Sequence, residues 1–186
     1  MQLLKPSLDH LPAYRDALQK GWSPDNLRPE AAQEHLVRMS KDPITFVSNL
    51  DDPTARAGPV KLPDGSMVPR LPSIRRWIWD SDFCGHISLR WQPGTEALPP
   101  TCSGHIGYAV VPWRQGEGRA TAALIALLPE AAALGLRYVE ITTSPDNPAS
   151  VRVIEKAGGV LVKTYTADKA LGGHQTMQFR VALAPA

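Results

Sequence analysis

The ten residues Pro112-Trp113-Arg114-Gln115-Gly116-Glu117-Gly118-Arg119-Ala120-Thr121 place two glycines one residue apart, just before an Ala/Leu-rich run. That spacing can hold an anion. Glycine lets backbone approach a bulky phosphate closely. The first N–H groups of a helix lack internal partners and point outward at a ligand. Two nucleotide chemistries do not fit. A Walker loop ends in Gly-Lys-Ser/Thr, which is missing here. The dinucleotide fingerprint needs a third glycine where Thr121 stands, and needs it early in a βαβ unit. A second block follows at Ser144-Pro145-Asp146-Asn147-Pro148-Ala149-Ser150, continuing to Glu155-Lys156-Ala157-Gly158-Gly159. Asn147 suits an N-cap, Pro148 a first helical position, and the paired glycines a helix end.

The elements that must position these residues follow from periodicity. Residues 106–111 and 138–143 read as strands, the second alternating and β-branched. Residues 120–134 read as a helix that Pro129 should kink rather than break. Upstream, 8–20 and 28–41 read as helices, the second burying Ala32, His35, Leu36 and Met39. Residues 44–49 read as a first strand. The Pro/Gly-rich stretch 51–73 suggests a hairpin around Pro63-Asp64-Gly65-Ser66. Residues 73–80 and 84–91 read as paired strands, and 160–166 and 176–183 as the last two.

Gln115-Gly116-Glu117-Gly118-Arg119-Ala120 followed by the Asn147 block resembles the GNAT acetyltransferase superfamily. The strand Gly104-His105-Ile106-Gly107-Tyr108 is similar to a branch of predicted acetyltransferases. The resemblance is good over about 71–181 and loose before that. It implies an α/β fold: a mixed, mostly antiparallel sheet with a central splay and helices on both faces. It further implies a single domain over 1–186 with an acyl-CoA-binding core at about 104–159. The implied activity is acetyl transfer from acetyl-CoA, bound as acyl donor, to a primary amine of a small molecule or peptide, with no metal. O-acyl transfer, a longer acyl donor, or a coenzyme-A-binding regulatory protein are the rivals.

The family also implies roles. The pyrophosphate would rest on Gln115, Gly116, Glu117, Gly118, Arg119, Ala120 and Thr121. Arg114 and Arg119 could pair with phosphates or be solvated charges. The N–H groups of Tyr108, Val110 and Val111 would meet the pantetheine arm and the thioester oxygen, with Asn147 and Ser150 beside them. Many relatives carry a glutamate where His105 stands, so His105 is either the base or a structural imidazole bonded to backbone. Glu140 is the next candidate base. Many relatives also carry a tyrosine seven residues after the asparagine, as proton donor to sulfur. Here that position is Ile154. Ser150 or Tyr165 would substitute, or the thiolate would leave unassisted, its conjugate thiol having a pKa of about 8.5.

Composition narrows the partners. A net charge of +2 over 186 residues gives no basic field for nucleic acid. No run reaches membrane-spanning length, and the apolar start at Leu3-Leu4 is broken at Lys5-Pro6, unlike a secretory leader. The two cysteines, Cys84 and Cys102, suit a reducing cytoplasm and read as strand residues rather than nucleophiles. Monomer and homodimer both remain open. Five tryptophans are many for this length. At most two, from Trp22, Trp77 and Trp79, would line an acceptor pocket. Asp25 could anchor an ammonium or form an Asx turn.

Overall fold

The computed structural model describes residues 1–184. Strand β1 (Gln2–Leu4) pairs antiparallel with β4 (Ser73–Trp79), which pairs with β5 (Phe83–Arg90), which pairs with β6 (Ile106–Val110). A second sheet has the order β7 (Tyr138–Thr143), β9 (Gln175–Ala182), β8 (Val160–Thr166), again antiparallel. Strands β2 (Val60–Lys61) and β3 (Met67–Val68) form the small hairpin expected around Asp64-Gly65. Every ladder among the described residues is antiparallel, and β6 and β7, which border the two sheets, share none.

Alternation sorts the side chains. Ile74 and Ile78 on β4 and Ile87 and Leu89 on β5 face α4 (Arg119–Ala133), meeting Leu124 and Leu127 in one core. Trp77, Ala109 and Val111 face the opposite side, under α1 (Leu11–Gln19), α2 (Ala31–Lys41) and α3 (Pro43–Ser48). Tyr14 stacks on Trp77 with ring centroids 5.1 Å apart and fixes α1 to the sheet. Helix α5 (Pro148–Lys156) joins α4's side through Ile154.

Three expectations need correction. Residues 44–49 lie in α3, not in a strand. The Asp42 carboxylate accepts the Thr45 N–H at 2.9 Å and Pro43 presets the first turn, which together outweigh the β-branched residues. The strand β1 was not foreseen, because three residues show no periodicity. On α2 only Met39 of the expected stripe is fully buried, with Ala32 and Leu36 partly so. Helix α4 runs unbroken through Pro129. Among the described residues no helix is long and apolar enough to cross a membrane.

Candidate active site

Strands β6 and β7 touch at one end only. The His105 N–H donates to the Glu140 carbonyl at 2.7 Å, and the Glu140 N–H donates to His105 Nδ1 at 3.0 Å. Gly104 permits this approach, since a Cβ there would stand 3.0 Å from the Glu140 carbonyl oxygen. Beyond this staple the strands part. The ladder with β5 uses the backbone groups of alternate residues: Arg90 N–H donates to His105, and Val111 N–H donates to Cys84 at 3.0 Å. The N–H and C=O groups of Tyr108 and Val110 therefore point the other way, into the splay. Asn26 Nδ2 donates to the Tyr108 carbonyl at 3.0 Å, and Gln115 Nε2 to the Val110 carbonyl at 3.1 Å.

The glycine turn closes the open end. Gly116 has φ +78° and Gly118 φ +75°, conformations that other residues rarely adopt. Gly118 is the N-cap of α4, and no side chain caps it. The N–H groups of Arg119, Ala120 and Thr121 thus lack helical acceptors. This turn, the splay and the sheet face beside α2 line one continuous cavity of 1370 Å³. An uncapped helix start at the end of a groove of unpaired strand N–H groups fits a phosphorylated, amide-bearing arm.

The sequence matches the Acetyltransferase (GNAT) domain, Acetyltransf_3, over residues 3–160. The chain belongs to the GNAT acetyltransferase family. Among solved structures, the microcin C7 self-immunity acetyltransferase MccE, in complex with acetyl-CoA and AMP, is 14% identical. That match covers 97% of this chain and 91% of that one, with a TM-score of 0.63. The ribosomal alpha-N-protein acetyltransferase RimL, in complex with coenzyme A, is 18% identical over 97% and 93%, at 0.60. A chimera of the spermidine N-acetyltransferase SpeG from Vibrio cholerae and hSSAT is 13% identical over 98% and 96%, also at 0.60. At these identities the likeness is one of fold. No curated protein matches the sequence.

Within this GNAT fold the candidate residues separate. His105 has no exposed surface. Its Nδ1 already accepts from Glu140, and burial lowers its proton affinity. It holds the strands together, and with Nδ1 accepting, its buried and unpartnered Nε2 carries the ring proton, so His105, which does not line the cavity, offers the cleft no lone pair. Glu140 is outside the cavity, its Oε1 accepting from Arg180 Nη2 at 2.7 Å across β9. Tyr165 lies on β8, with Lys163 Nζ 5.0 Å over its ring, and also outside the cavity. Ile154 is fully buried among the α4 and β7 side chains, so a tyrosine there would enter the core and not the cleft.

Several cofactor candidates also shift. The Val111 N–H is taken by Cys84. Glu117 is exposed and paired with Arg119, outside the cavity lining. Arg119 binds Asp80 at 2.6 Å and Arg114 donates to the Asp80 carbonyl at 2.8 Å, so both guanidiniums brace the β4–β5 turn. Tyr108, Val110, Gln115, Gly116, Gly118, Arg119, Ala120, Thr121, Asn147 and Ser150 all line the cavity. Asn147 accepts the Ser150 N–H at 3.0 Å and so starts α5. No tryptophan lines the cavity. Trp22 and Trp77 pack beneath it instead. Asp25 forms the Asx turn, accepting the Leu27 N–H at 2.9 Å.

Two side chains in the cleft escaped the sequence reading. The Tyr108 hydroxyl lies 2.7 Å from Ser150 Oγ, bridging β6 to α5. Burial raises the pKa of Tyr108, opposed by the Ser150 contact, so the phenol keeps its proton. His86 on β5 is buried at 4% exposure, lines the cavity, and has no partner for Nδ1. Gly107 and Ala109 lie opposite Ser88 and His86 on the neighbouring strand. Period-2 reading of β5 puts His86 on that face, but it cannot tell an open face from a covered one.

Proposed function

We propose that this chain transfers an acetyl group from acetyl-CoA to a primary amine of a small molecule or peptide. The observation that carries the reading is the alignment of the outward N–H groups of Tyr108 and Val110 with the uncapped start of α4. The family match and the acetyl-CoA and coenzyme A complexes of the neighbours support it. The neighbours named above act on or hold different molecules, so none supplies an acceptor.

Acetyl-CoA supplies an activated carbonyl, and the residues supply position and protons. The α4 N–H groups and helix dipole hold the pyrophosphate. The N–H groups on β6 hold the arm and face the carbonyl oxygen that becomes an oxyanion. A bond forms from the amine nitrogen to the carbonyl carbon while the carbon–sulfur bond breaks. The amine's proton leaves to solvent through a water held at His86 Nδ1, an imidazole that burial and the Arg75 and Arg90 charges keep neutral. The thiolate takes a proton from the Tyr108 hydroxyl; Ser150 Oγ, 2.7 Å away, donates a hydrogen bond to the resulting phenolate, which regains its proton from solvent. His105 acts as a positioning residue that sets where β6 and β7 diverge.

The test is calorimetry of coenzyme A with Gly118→Asp and Gly118→Asn. Both place a side chain at the same φ, but only Asp adds charge beside the pyrophosphate. Asp should weaken binding at least tenfold more than Asn. Equal affinities in folded variants would reject this site.

A further inference from the structure

On the sheet face opposite α4, the cavity wall is rich in guanidinium groups. The cations there are not matched by acids. Glu34 is already held by Arg28 at 2.6 Å and Lys61 at 3.5 Å, and Asp25 is committed to its Asx turn. Arg70 donates to the Gly58 carbonyl and stands 3.9 Å from Asp52. That leaves Arg38 of α2, Arg75 of β4 and Arg90 of β5, all lining the cavity and none paired with a carboxylate among the described residues. Arg75 Nε donates to Ser88 Oγ at 3.1 Å, which aims the guanidinium across the floor. Arg90 lies over Gly107, whose absent Cβ would come within 2.9 Å of Nη2. Burial first, then Arg90 and Arg70, lower the proton affinity of Arg75 against the opposing pull of Tyr14 and Asp25, so Arg75 sits among like charges in a poorly hydrated part of the wall, with Arg38 at the exposed rim. His86, buried and unpartnered at Nδ1, completes the same wall.

We propose that the acceptor amine also carries an anionic group, a carboxylate or a phosphate ester, and that Arg38, Arg75 and Arg90 hold it over Ser88. The proposal rests on the acetyl-transfer reading and narrows its substrate class. Like charges gathered around a desolvated Arg75 are unfavourable until an anion enters, and planar guanidinium forks suit carboxylate and phosphate oxygens alike. With the anion on Ser88, the amine would lie toward His86 two residues along β5, and toward Ala109 across from it. A polyamine would instead bring cations against three guanidiniums.

Matched amines test this with the full chain and acetyl-CoA, reading free thiol at equal concentrations of unprotonated amine. The pairs are glycine against glycinamide, and O-phosphoethanolamine against ethanolamine, with spermidine as the cationic case. At least one anionic member should exceed its neutral partner at least tenfold in kcat/KM, and whichever pair does so identifies the anion. Arg38→Gln and Arg75→Gln should each shrink that ratio by about tenfold. Arg38 is exposed on its helix, so its replacement should leave folding intact. Calorimetry of N-acetylglycine and N-acetyl-O-phosphoethanolamine against N-acetylglycinamide needs no turnover. Anion-selective binding lost in the Arg variants, with no acetyl transfer to any amine, would uphold the subsite and reject the transfer reading. Transfer that shows no anion preference, or that favours spermidine, would overturn the proposal and leave acetyl transfer standing. Neither binding nor preference for any anionic member would also overturn it.

Discussion

The hydroxyl of Tyr108 and the side chain of Ile154 exchange the positions a reader of the sequence would give them. The tyrosine sits on a strand, yet its phenol crosses to Ser150 on α5. Position 154 sits on α5, yet its side chain turns into the core. A phenol that keeps its proton at neutral pH is suited to protonate a departing thiolate. Tyr108→Phe should therefore lower the single-turnover rate roughly a hundredfold, within the usual range for a lost acid. Coenzyme A affinity should change much less. Ser150→Ala should have a smaller effect in the same direction. Rapid-quench rates beside calorimetry decide it, and an unchanged rate in Tyr108→Phe would return the thiolate to unassisted departure. The sequence showed that His105 precedes the groove. It could not show that Nδ1 is spent on the Glu140 N–H, because that bond joins residues 35 positions apart.

At the scale of elements, most of what was legible came from strong local signals. The glycine turn, the Asn147 cap and the paired strands β4 and β5 lie where their residues place them, since each depends on neighbours in sequence. Helix α3 was hidden because a single capping carboxylate, Asp42, reverses the preference of the β-branched run that follows. Helix α5 carries the clearest packing constraint. Ile154 is sealed against Gly159, whose absent Cβ would fall 2.4 Å from Ile154 Cγ2. Ile154→Tyr therefore has no space in the core, and should destabilise the fold by about 1–3 kcal/mol or more, the typical cost of overpacking. Urea denaturation reads this directly. A variant of full stability with faster acetyl transfer would mean that the helix can turn its residue into the cleft.

For the whole molecule, charge and burial meet in the histidines. His35 is held down to about 3, by burial first and then by Arg75, Arg38 and Arg28. His86 is lowered by burial first, then by Arg75, His35 and Arg90. In the unfolded chain both titrate near 6.5. Below that pH the unfolded chain takes up protons that the folded chain refuses. Their contribution is complete above about pH 6.5 and is lost as pH falls, continuing toward about 3 for His35. Carboxylates with lowered pKa add their own loss only at more acidic pH. The urea midpoint should thus fall between pH 7.5 and pH 5, and fall less in His35→Gln. A flat midpoint over that range would contradict the buried neutral imidazoles. Helical spacing put His35 on the buried stripe of α2, but it could not show the burial and the Arg75 guanidinium that keep His35 and His86 neutral, because Arg75 comes from β4. The parted strands β6 and β7 have one more consequence. Any sheet opened in the middle presents two raw borders, the kind of surface on which a stray peptide can add as an extra strand. Here the side-chain amides of Asn26 and Gln115 sit on the two exposed carbonyls of β6 like removable covers. With those acceptors covered, β6 offers another backbone only its N–H groups, half of what a ladder needs.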